Sequence, residues 1–176
     1  LYVAPNVPLA NYRRVMLDPV EINFRDGWRR QHPAMDDREF ALLRTRLAEA
    51  LREKLLGELA NGGYVLAEAP DKDVLRLRAV VDDVDFAAPE AGADKRTLAY
   101  VDGEMTLKLQ GFDAPSGALV ARASDHEEDQ DRRILLPADR VSAMVNAQRF
   151  FEKWAQALRS ALDVAQVQAG ARTPQQ

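Results

Sequence analysis

Apolar and polar residues alternate over residues 12 to 24 of this chain, and the alternation changes phase partway along. Val15 and Leu17 share one parity, whereas Ile22 has the other. Alternation at every second residue is typical of a half-buried strand. The phase changes next to Pro19, and proline is confined to strand edges and bulges because it cannot donate a ladder hydrogen bond. A bulge adds one residue and so changes which parity points inward. We therefore predict one long strand with a bulge at Pro19.

The next segment has the spacing of a helix. Asp36 is a good N-cap, and Glu39 three residues later completes a capping box. Apolar residues then recur at steps of three and four, which gives one apolar stripe. The stripe contains Phe40, Leu43, Leu47, Leu51, Leu55 and Leu59. Gly62 and Gly63 end the predicted helix, because glycine tolerates the left-handed geometry of a C-cap.

Two later stretches, residues 73 to 86 and 97 to 110, also alternate and also change phase. The first change falls at Asp82 and Asp83, and the second falls near Gly103. Because both changes are about equally far from the loop between the stretches, folding the strands about that loop brings them together. We therefore predict a long antiparallel hairpin that is bent along one line.

This hairpin implies a register. Leu75 would lie near Leu107 or Leu109, and Val84 near Leu98 or Tyr100. On the polar face, two arginines of the first strand would face two polar residues of the second, as cross-strand neighbours do. These are Arg76 and Arg78 opposite Glu104 and Thr106.

A second hairpin is predicted over residues 104 to 125, after a short strand at residues 64 to 69. The segment from Ala114 to Gly117 has the proline and the glycine of a type I turn. A second helix is predicted over about residues 138 to 168, where apolar residues again follow one stripe. This stripe includes Phe151, Trp154, Leu158 and Leu162.

Together these elements predict an α+β fold. The order is β-α-β-β-β-β-α, in a two-layer sandwich with a bent, mostly antiparallel sheet and two amphipathic helices on one face. Residues 1 to 168 would form a single domain, and residues 169 to 176 a disordered polar tail.

Composition and charge exclude some classes of protein. The formal net charge is -4, which argues against nucleic-acid binding, because that function favours a basic surface. The chain has no cysteine, so it has neither disulfides nor thiolate metal sites. It contains no apolar run of the roughly 20 residues that a membrane span needs. The chain begins at Leu1 rather than at methionine, and we expect a removed N-terminal segment that held any signal peptide or lipid anchor.

Exposed polar positions on the predicted sheet provide the first candidate site. Four cations are expected on the face that the helices leave open, and this face is a candidate surface for docking a protein partner. They are Arg76, Arg78, Lys108 and Arg122. The alternative is a small-molecule or cation site at the bend, where Asp82 and Asp83 would meet Asp102, since paired carboxylates bind cations or perform acid-base chemistry. Acids that simply hydrate an exposed bulge are the other interpretation of that corner.

An acidic run from Asp125 to Asp131 surrounds His126. Carboxylate oxygens could bind calcium, but the run lacks the glycine and the distal glutamate of an EF-hand loop. Ser124, Asp125 and His126 form no catalytic triad, because consecutive strand residues point to opposite faces. We therefore predict a solvated charged loop where the strand ends, no cofactor, and no catalytic residue. His126 and the second histidine, His32, would be surface side chains.

Arg25, Trp28, Arg29 and Arg30 combine cations with an aromatic ring, as a phosphate or single-strand binder would. Arginine stacked on an exposed tryptophan is the commoner arrangement, and the net charge favours it here.

Three segments resemble an uncharacterised bacterial family, domain of unknown function 3313. A strand matches the family at Tyr12, Val15 and Asp18-Pro19-Val20. A hairpin matches at Asp113, Gly117, Leu119, Arg122 and Asp125, and a helix at Phe151, Trp154, Ala155 and Leu158. The chain departs from the family at Pro115-Ser116, where relatives often have a threonine-glycine turn. The resemblance covers nearly the whole chain.

The resemblance implies a location rather than an activity. Members look like Gram-negative cell-envelope proteins, often with a lipoprotein signal peptide, so periplasmic or outer-membrane lipoprotein localisation is expected. The resemblance implies no catalytic residues in this chain, because the family has no established activity. The expected function is therefore a non-enzymatic exported protein that acts as an interaction or accessory module, with protein partners in the envelope.

Overall fold

The computed structural model describes residues 2–4, 9–33, 35–86, 98–100, 103–129, 135–137 and 140–170. Nine strands, three α-helices and one short 3-10 helix lie in these residues. The strands are β1 (Tyr2–Val3), β2 (Arg14–Leu17), β3 (Glu21–Phe24), β4 (Val65–Leu66), β5 (Val74–Phe86), β6 (Leu98–Tyr100), β7 (Gly103–Asp113), β8 (Leu119–Asp129) and β9 (Leu135–Pro137). The helices are α1 (Trp28–Gln31), α2 (Asp37–Asn61) and α3 (Arg140–Gly170), and the 3-10 helix is Leu9–Asn11.

The main sheet has the strand order β1-β8-β7-β5-β2-β4, and β3 continues alongside β5 where β2 ends. The long strands β5, β7 and β8 are antiparallel to one another, as is β1 to β8. By contrast, β2 and β3 run parallel to β5, and β4 runs parallel to β2. A small second sheet pairs β6 with β9. The fold is therefore α+β with a mostly antiparallel open sheet, although its element order is richer than the sequence predicts.

The predicted interruption at Pro19 is present. Leu17 pairs with Leu77 and Glu21 pairs with Val80, so the chain around Pro19 contains one more residue than the facing part of β5. The extra residue changes the inward parity, and both Leu17 and Ile22 are buried. The structure assigns the two halves to separate strands, β2 and β3.

The second predicted interruption is a bulge in β5 alone. Asp82 pairs with Thr106 and Asp85 with Glu104, so β5 contains an additional residue between these pairs. That residue, Asp83, has a left-handed backbone with φ of 56°. The conformation is uncommon outside glycine, but aspartate adopts it more readily than most residues.

The predicted register of the first hairpin is wrong. Leu75 pairs with Asp113 rather than with Leu107 or Leu109, and Arg76 and Arg78 pair with Phe112 and Gln110. The error arises because residues 98–100 do not continue β7 but form β6, which pairs with β9. The loop about which we folded the hairpin lies outside the described residues.

The second hairpin, between β7 and β8, is confirmed. Leu109 pairs with Ala123 and Gln110 with Arg122. At the turn, the amide of Gly117 donates to the carbonyl of Asp113 over 2.8 Å, and Gly117 has a left-handed φ of 70°. A glycine here avoids the steric penalty of that conformation.

Both long helices pack on one face of the sheet. The capping box of α2 is present, with Asp36 accepting from the Glu39 amide over 2.7 Å. The leucines of its stripe share one core with the inward residues of β5 and with α3. The large buried side chains from α2 and α3 include Leu47, Leu51, Leu55, Leu59, Phe151 and Trp154. No helix within the described ranges is both long enough and apolar enough to span a bilayer.

Candidate functional site

The four predicted cations lie on the same face of the sheet, opposite the helices. Arg78 pairs with Gln110, and Gln110 pairs with Arg122, so these residues form one row across β5, β7 and β8. Lys108 lies in the neighbouring row between Val80 and Ser124. Side chains that face each other across strands lie on the same side of a sheet. We call this surface the open face.

Three of the cations on the open face are neutralised by acids. Arg76 contacts Asp18 at 2.9 Å and Arg78 contacts Glu21 at 2.7 Å. Both acids come from the segment around Pro19, so the interruption places carboxylates over the neighbouring strand. The hydrogen bond from Arg76 to Asp18 raises the pKa of Arg76. The predicted contacts of these arginines with Glu104 and Thr106 are not made, because the register differs.

Lys108 and Arg122 have different partners. Lys108 contacts Asp82 at 2.8 Å, and this hydrogen bond raises the pKa of the lysine. The guanidinium of Arg122 lies 5.3 Å from the ring centroid of Tyr2, within the range of a cation–π interaction. The open face is therefore a mosaic of paired charges rather than a uniformly basic patch.

The predicted acidic bend is described at Asp82 and Asp83. Asp82 accepts hydrogen bonds from Lys108 and from Nδ2 of the Asn23 side chain, the latter at 2.7 Å. The lysine contributes most to lowering the pKa of Asp82. Asp83 is exposed at the bulge, and Asp102 lies outside the described residues. Within the described part of the chain, no three histidine or carboxylate side chains are grouped as a metal site requires.

The acidic run belongs to strand β8 as far as Asp129, not to a loop, so that part of the prediction is wrong. The inward acids of the run bind helix α3. Asp125 accepts a 2.9 Å hydrogen bond from the Trp154 indole, and Glu127 forms an ion pair with Lys153. On the opposite side of the strand, His126 Nδ1 lies 3.0 Å from the Thr106 hydroxyl. Asp131 lies outside the described residues.

A second polar pair joins distant segments at the other end of the sheet. The Tyr12 hydroxyl donates to Asp113 over 3.1 Å, and the Ser116 amide donates to the same carboxylate over 3.1 Å. The Ser116 hydroxyl contributes most to lowering the pKa of Asp113. Burial, assisted by Asp113, raises the pKa of Tyr12 to about 12.

Neither the Trp154–Asp125 pair nor the Tyr12–Asp113 pair was predicted from the sequence, although the sequence contains one signal for the first. A buried tryptophan requires an acceptor for its indole N–H. Asp125 and Glu127 follow Ala123 at the inward parity of β8, so the sequence placed acids toward the helices.

The segment with three arginines and a tryptophan does not form an exposed stacking platform. Trp28 is only 1% exposed and lies 4.5 Å from the Phe24 ring. His32 is half-buried rather than on the surface, and its Nδ1 lies 2.7 Å from the Trp28 carbonyl. The expected arginine stacked on an exposed tryptophan is therefore wrong, because the indole fills an aromatic cluster under the start of α2.

Comparison with solved structures gives distant likenesses. A minor lipoprotein from Acinetobacter baumannii is 12% identical, with 87% of this chain and 94% of that chain covered and a TM-score of 0.44. The PelC dodecamer from Paraburkholderia phytofirmans is 13% identical, with 88% and 94% covered and a TM-score of 0.48. No curated protein matches the sequence.

Comparison with protein families gives an assignment. The model of a protein family of unknown function, domain of unknown function 3313, matches residues 1–158. This range contains the strand, the hairpin and the helix on which the sequence resemblance rests. The chain therefore belongs to the family of domain of unknown function 3313.

Proposed function

We propose that this protein is a non-enzymatic interaction module of the bacterial cell envelope, exported and lipid-anchored in its precursor, and that the open face is its docking surface. The observation that carries the proposal is a broad polar sheet face whose side chains are already held by cross-strand ion pairs. The proposed location rests on the resemblance to envelope proteins of the family.

Pre-ordered side chains favour this role. Binding costs free energy when flexible side chains are immobilised, and ion pairs that exist before binding reduce this cost. Strands spaced by about 4.8 Å, with about 3.3 Å per residue, give the open face a projected area on the order of 600 Å². A specific interface covers about 800 Å² per partner. The size of the open face is therefore close to that of one half of a specific interface.

The paired charges also define the partner. Because acids and bases alternate on the open face, a uniformly charged polymer would meet repulsion as often as attraction. A protein surface with charges of both signs can match the mosaic, and such complementarity gives specificity more than affinity. We therefore propose a folded protein partner. Asp82 is already neutralised by Lys108, so no observation favours a cation site at the bend.

Site-specific photo-crosslinking in intact cells that express the full-length precursor tests the docking surface. The crosslinker replaces Gln110 on the open face or, as a control, Glu49 on the exposed side of α2. We expect a discrete adduct from position 110 alone. Substituting Arg78→Gln with Lys108→Gln should remove the adduct, whereas the matched pair Arg38→Gln with Arg46→Gln on α2 should not. Equal crosslinking from both positions, or none from position 110, would refute the open face as a docking surface.

Cell fractionation tests the location separately. The full-length precursor should be recovered in the envelope fraction after processing. Recovery of unprocessed protein in the cytoplasm alone would contradict the proposed export.

A further inference from the structure

Beyond the ion pairs described above, the open face carries excess charge at its two ends. At one end, a row of side chains across β5, β7 and β8 consists of Asp85, Glu104 and Glu128. We call this the acid row. Arg25 contacts Asp85 at 2.9 Å and also contacts Glu104, and Glu128 is exposed to solvent. One cation therefore serves three carboxylates, and the acid row keeps an excess of negative charge.

The acid row is unfavourable within a single copy of the chain. Glu104 lies directly opposite Glu128, and Asp85 lies on the other side of Glu104. Like charges that face each other across neighbouring strands destabilise a sheet. Cations that approach the row from another molecule would relieve this repulsion.

The next-to-last row at the other end of the open face has the opposite excess. It consists of Arg78, Gln110 and Arg122, and we call it the arginine row. Glu21 neutralises Arg78, whereas Arg122 lies against the uncharged ring of Tyr2. Both arginines are exposed to solvent. The arginine row therefore keeps an excess of positive charge.

The two rows do not neutralise each other within one copy. Along β7, the distance from Glu104 to Gln110 is about 20 Å, at about 3.3 Å per residue. Charges at the surface are screened within about 8 Å at physiological salt. A second molecule is therefore needed to bring opposite charges to each row.

A second copy of the chain can cover the open face in two symmetric ways, and the charges distinguish them. A two-fold axis parallel to the strands would place the acid row on the acid row of the second copy. A two-fold axis perpendicular to the strands, between the two sheets, makes the strands of the copies antiparallel and places each acid row on the other copy's arginine row. Opposite charges attract across an interface and like charges exclude it, so only the second arrangement is favourable.

The strand register gives the contacts of this arrangement. If the axis crosses β7 at Leu107, Glu128 faces Arg122 of the second copy, and Asp85 faces Arg78 of the second copy. A two-fold interface uses the same surface on both copies, so each of these contacts occurs twice.

We propose that a second copy of this chain occupies the open face, in a two-fold dimer with antiparallel strands in which the acid row of each copy lies on the arginine row of the other. This inference rests on the proposed docking role of the open face and names its partner. Two open faces of about 600 Å² each would bury at most about 1,200 Å² in total, which is the lower limit for specific interfaces. The dimer should therefore be weak, and it should dissociate as salt screens the charges.

Two charge-reversal variants test the arrangement by sedimentation equilibrium on the purified chain. Glu128→Arg places two arginines opposite each other at both contacts of the dimer, and Arg122→Glu places two glutamates there. Each variant alone should dimerise about tenfold more weakly or worse, because like charges at an interface oppose association. An equimolar mixture of the two variants should regain the affinity of the unsubstituted chain, since both contacts then join opposite charges.

The mixture distinguishes a broken interface from a broken fold, because only folded variants can pair again. If one variant loses its circular dichroism spectrum, Asp85→Arg and Arg78→Glu provide a second pair for the same test. Arg38→Glu and Glu49→Arg, on the exposed side of α2, should leave dimerisation unchanged. An unsubstituted chain that stays monomeric, or folded variants whose mixture is no more dimeric than either alone, would overturn the proposed dimer.

The crosslinker at position 110 separates this inference from the docking role on which it rests. A crosslink between two copies that joins position 110 to the region of Glu104 supports the dimer, because these positions face each other in the proposed arrangement. An adduct with a different protein keeps the open face as a docking surface but refutes the second copy as its occupant. Absence of any adduct from position 110 refutes both.

Discussion

At the scale of single residues, the polar side chains that carry the family resemblance serve to hold the fold together. Tyr12 bonds to Asp113 across segments far apart in sequence, and Trp154 bonds to Asp125. Each pair joins the β7–β8 hairpin to another part of the fold, α3 in the case of Trp154 and the segment before β2 in the case of Tyr12. A buried or half-buried hydrogen bond of this kind is worth about 0.5–1.5 kcal/mol, and its larger effect is to fix one geometry.

Trp154 should contribute strongly to stability. It is 2% exposed, packs beside Phe151 and bonds to Asp125. Trp154→Ala should lower the free energy of unfolding by about 3–5 kcal/mol, because burial is lost and a cavity remains. Urea denaturation measures this change. As a control, Asp125→Asn keeps an acceptor oxygen and should cost much less, whereas a melting temperature of Trp154→Ala close to that of the wild type would show that α3 does not dock through this residue.

Tyr12 should make the free energy of unfolding depend on pH in the alkaline range. Burial, and secondarily Asp113, raises the pKa of Tyr12 to about 12 in the folded chain, whereas the pKa of an unperturbed tyrosine is about 10. The protonated hydroxyl therefore stabilises the fold fully below pH 10, and this contribution is lost as the pH rises through 12. The difference in tyrosinate absorbance between wild type and Tyr12→Phe measures the titration.

A conservative substitution separates the two causes of the raised pKa of Tyr12. Asp113→Asn removes the neighbouring negative charge but leaves the ring buried. The pKa of Tyr12 should fall yet stay above the ordinary value, because burial is the larger cause. A tyrosine that titrates normally in the wild-type fold would contradict the buried hydrogen bond.

At the scale of secondary-structure elements, the hydrophobic pattern predicted the long helices and hairpins but not every pairing. The change of phase at Pro19 and the one at Asp83 are both insertions of one residue, as expected. The change near Gly103 marks instead the start of β7, since Leu98 and Tyr100 belong to β6. A bulge and a strand end produce the same parity change, so alternation alone cannot separate them.

The short strands β1 and β4 could not be predicted from the sequence pattern, for a related reason. With Tyr2 and Val3, or Val65 and Leu66, only one pair of positions exists, and no period can be measured. Their places at the two ends of the sheet depend on contacts with residues far away in sequence. The positions of the open-face cations were predictable because β5, β7 and β8 are long, whereas the acidic partners of Arg76 and Arg78 depend on the parallel pairing of β2 and β3 with β5.

The bulge of β5 allows a prediction at the level of the strand. Asp83 has a φ of 56°, which costs β-branched residues more than aspartate. Asp83→Val should destabilise the protein by about 1–2 kcal/mol, whereas Asp83→Gly should be tolerated, because glycine adopts this conformation freely. Thermal or urea unfolding of both variants measures the difference. Equal losses for valine and glycine would show that the side chain of Asp83, rather than its backbone conformation, matters.

At the scale of the whole molecule, the charges form two systems on opposite sides of the sheet. The open face pairs acids with bases across strands, whereas the inward acids of β8 secure the sheet to α3. A chain with a net charge of -4 therefore presents an open face on which acids and bases are balanced. The balanced charges of the open face favour a folded protein partner whose surface carries charges of both signs.

The division of the acids between two sides leads to a prediction about metal ions. Asp125 and Glu127 point toward α3, and Glu128 points to the open face, so these carboxylates do not converge on one point. A true ion site would stabilise the fold by about 2.7 kcal/mol at a hundredfold excess of ion over Kd. For a chain of this size, that would raise the melting temperature by roughly 5–10 °C.

We expect instead that millimolar calcium, magnesium, manganese or zinc leaves the melting temperature nearly unchanged. The double substitution Glu127→Gln with Asp129→Asn should also be tolerated, because a glutamine at position 127 keeps an acceptor for Lys153, whose side chain is exposed to solvent. Differential scanning calorimetry with and without each ion checks both expectations. A rise of several degrees with one ion that disappears in the double variant would instead identify the end of β8 as a metal site.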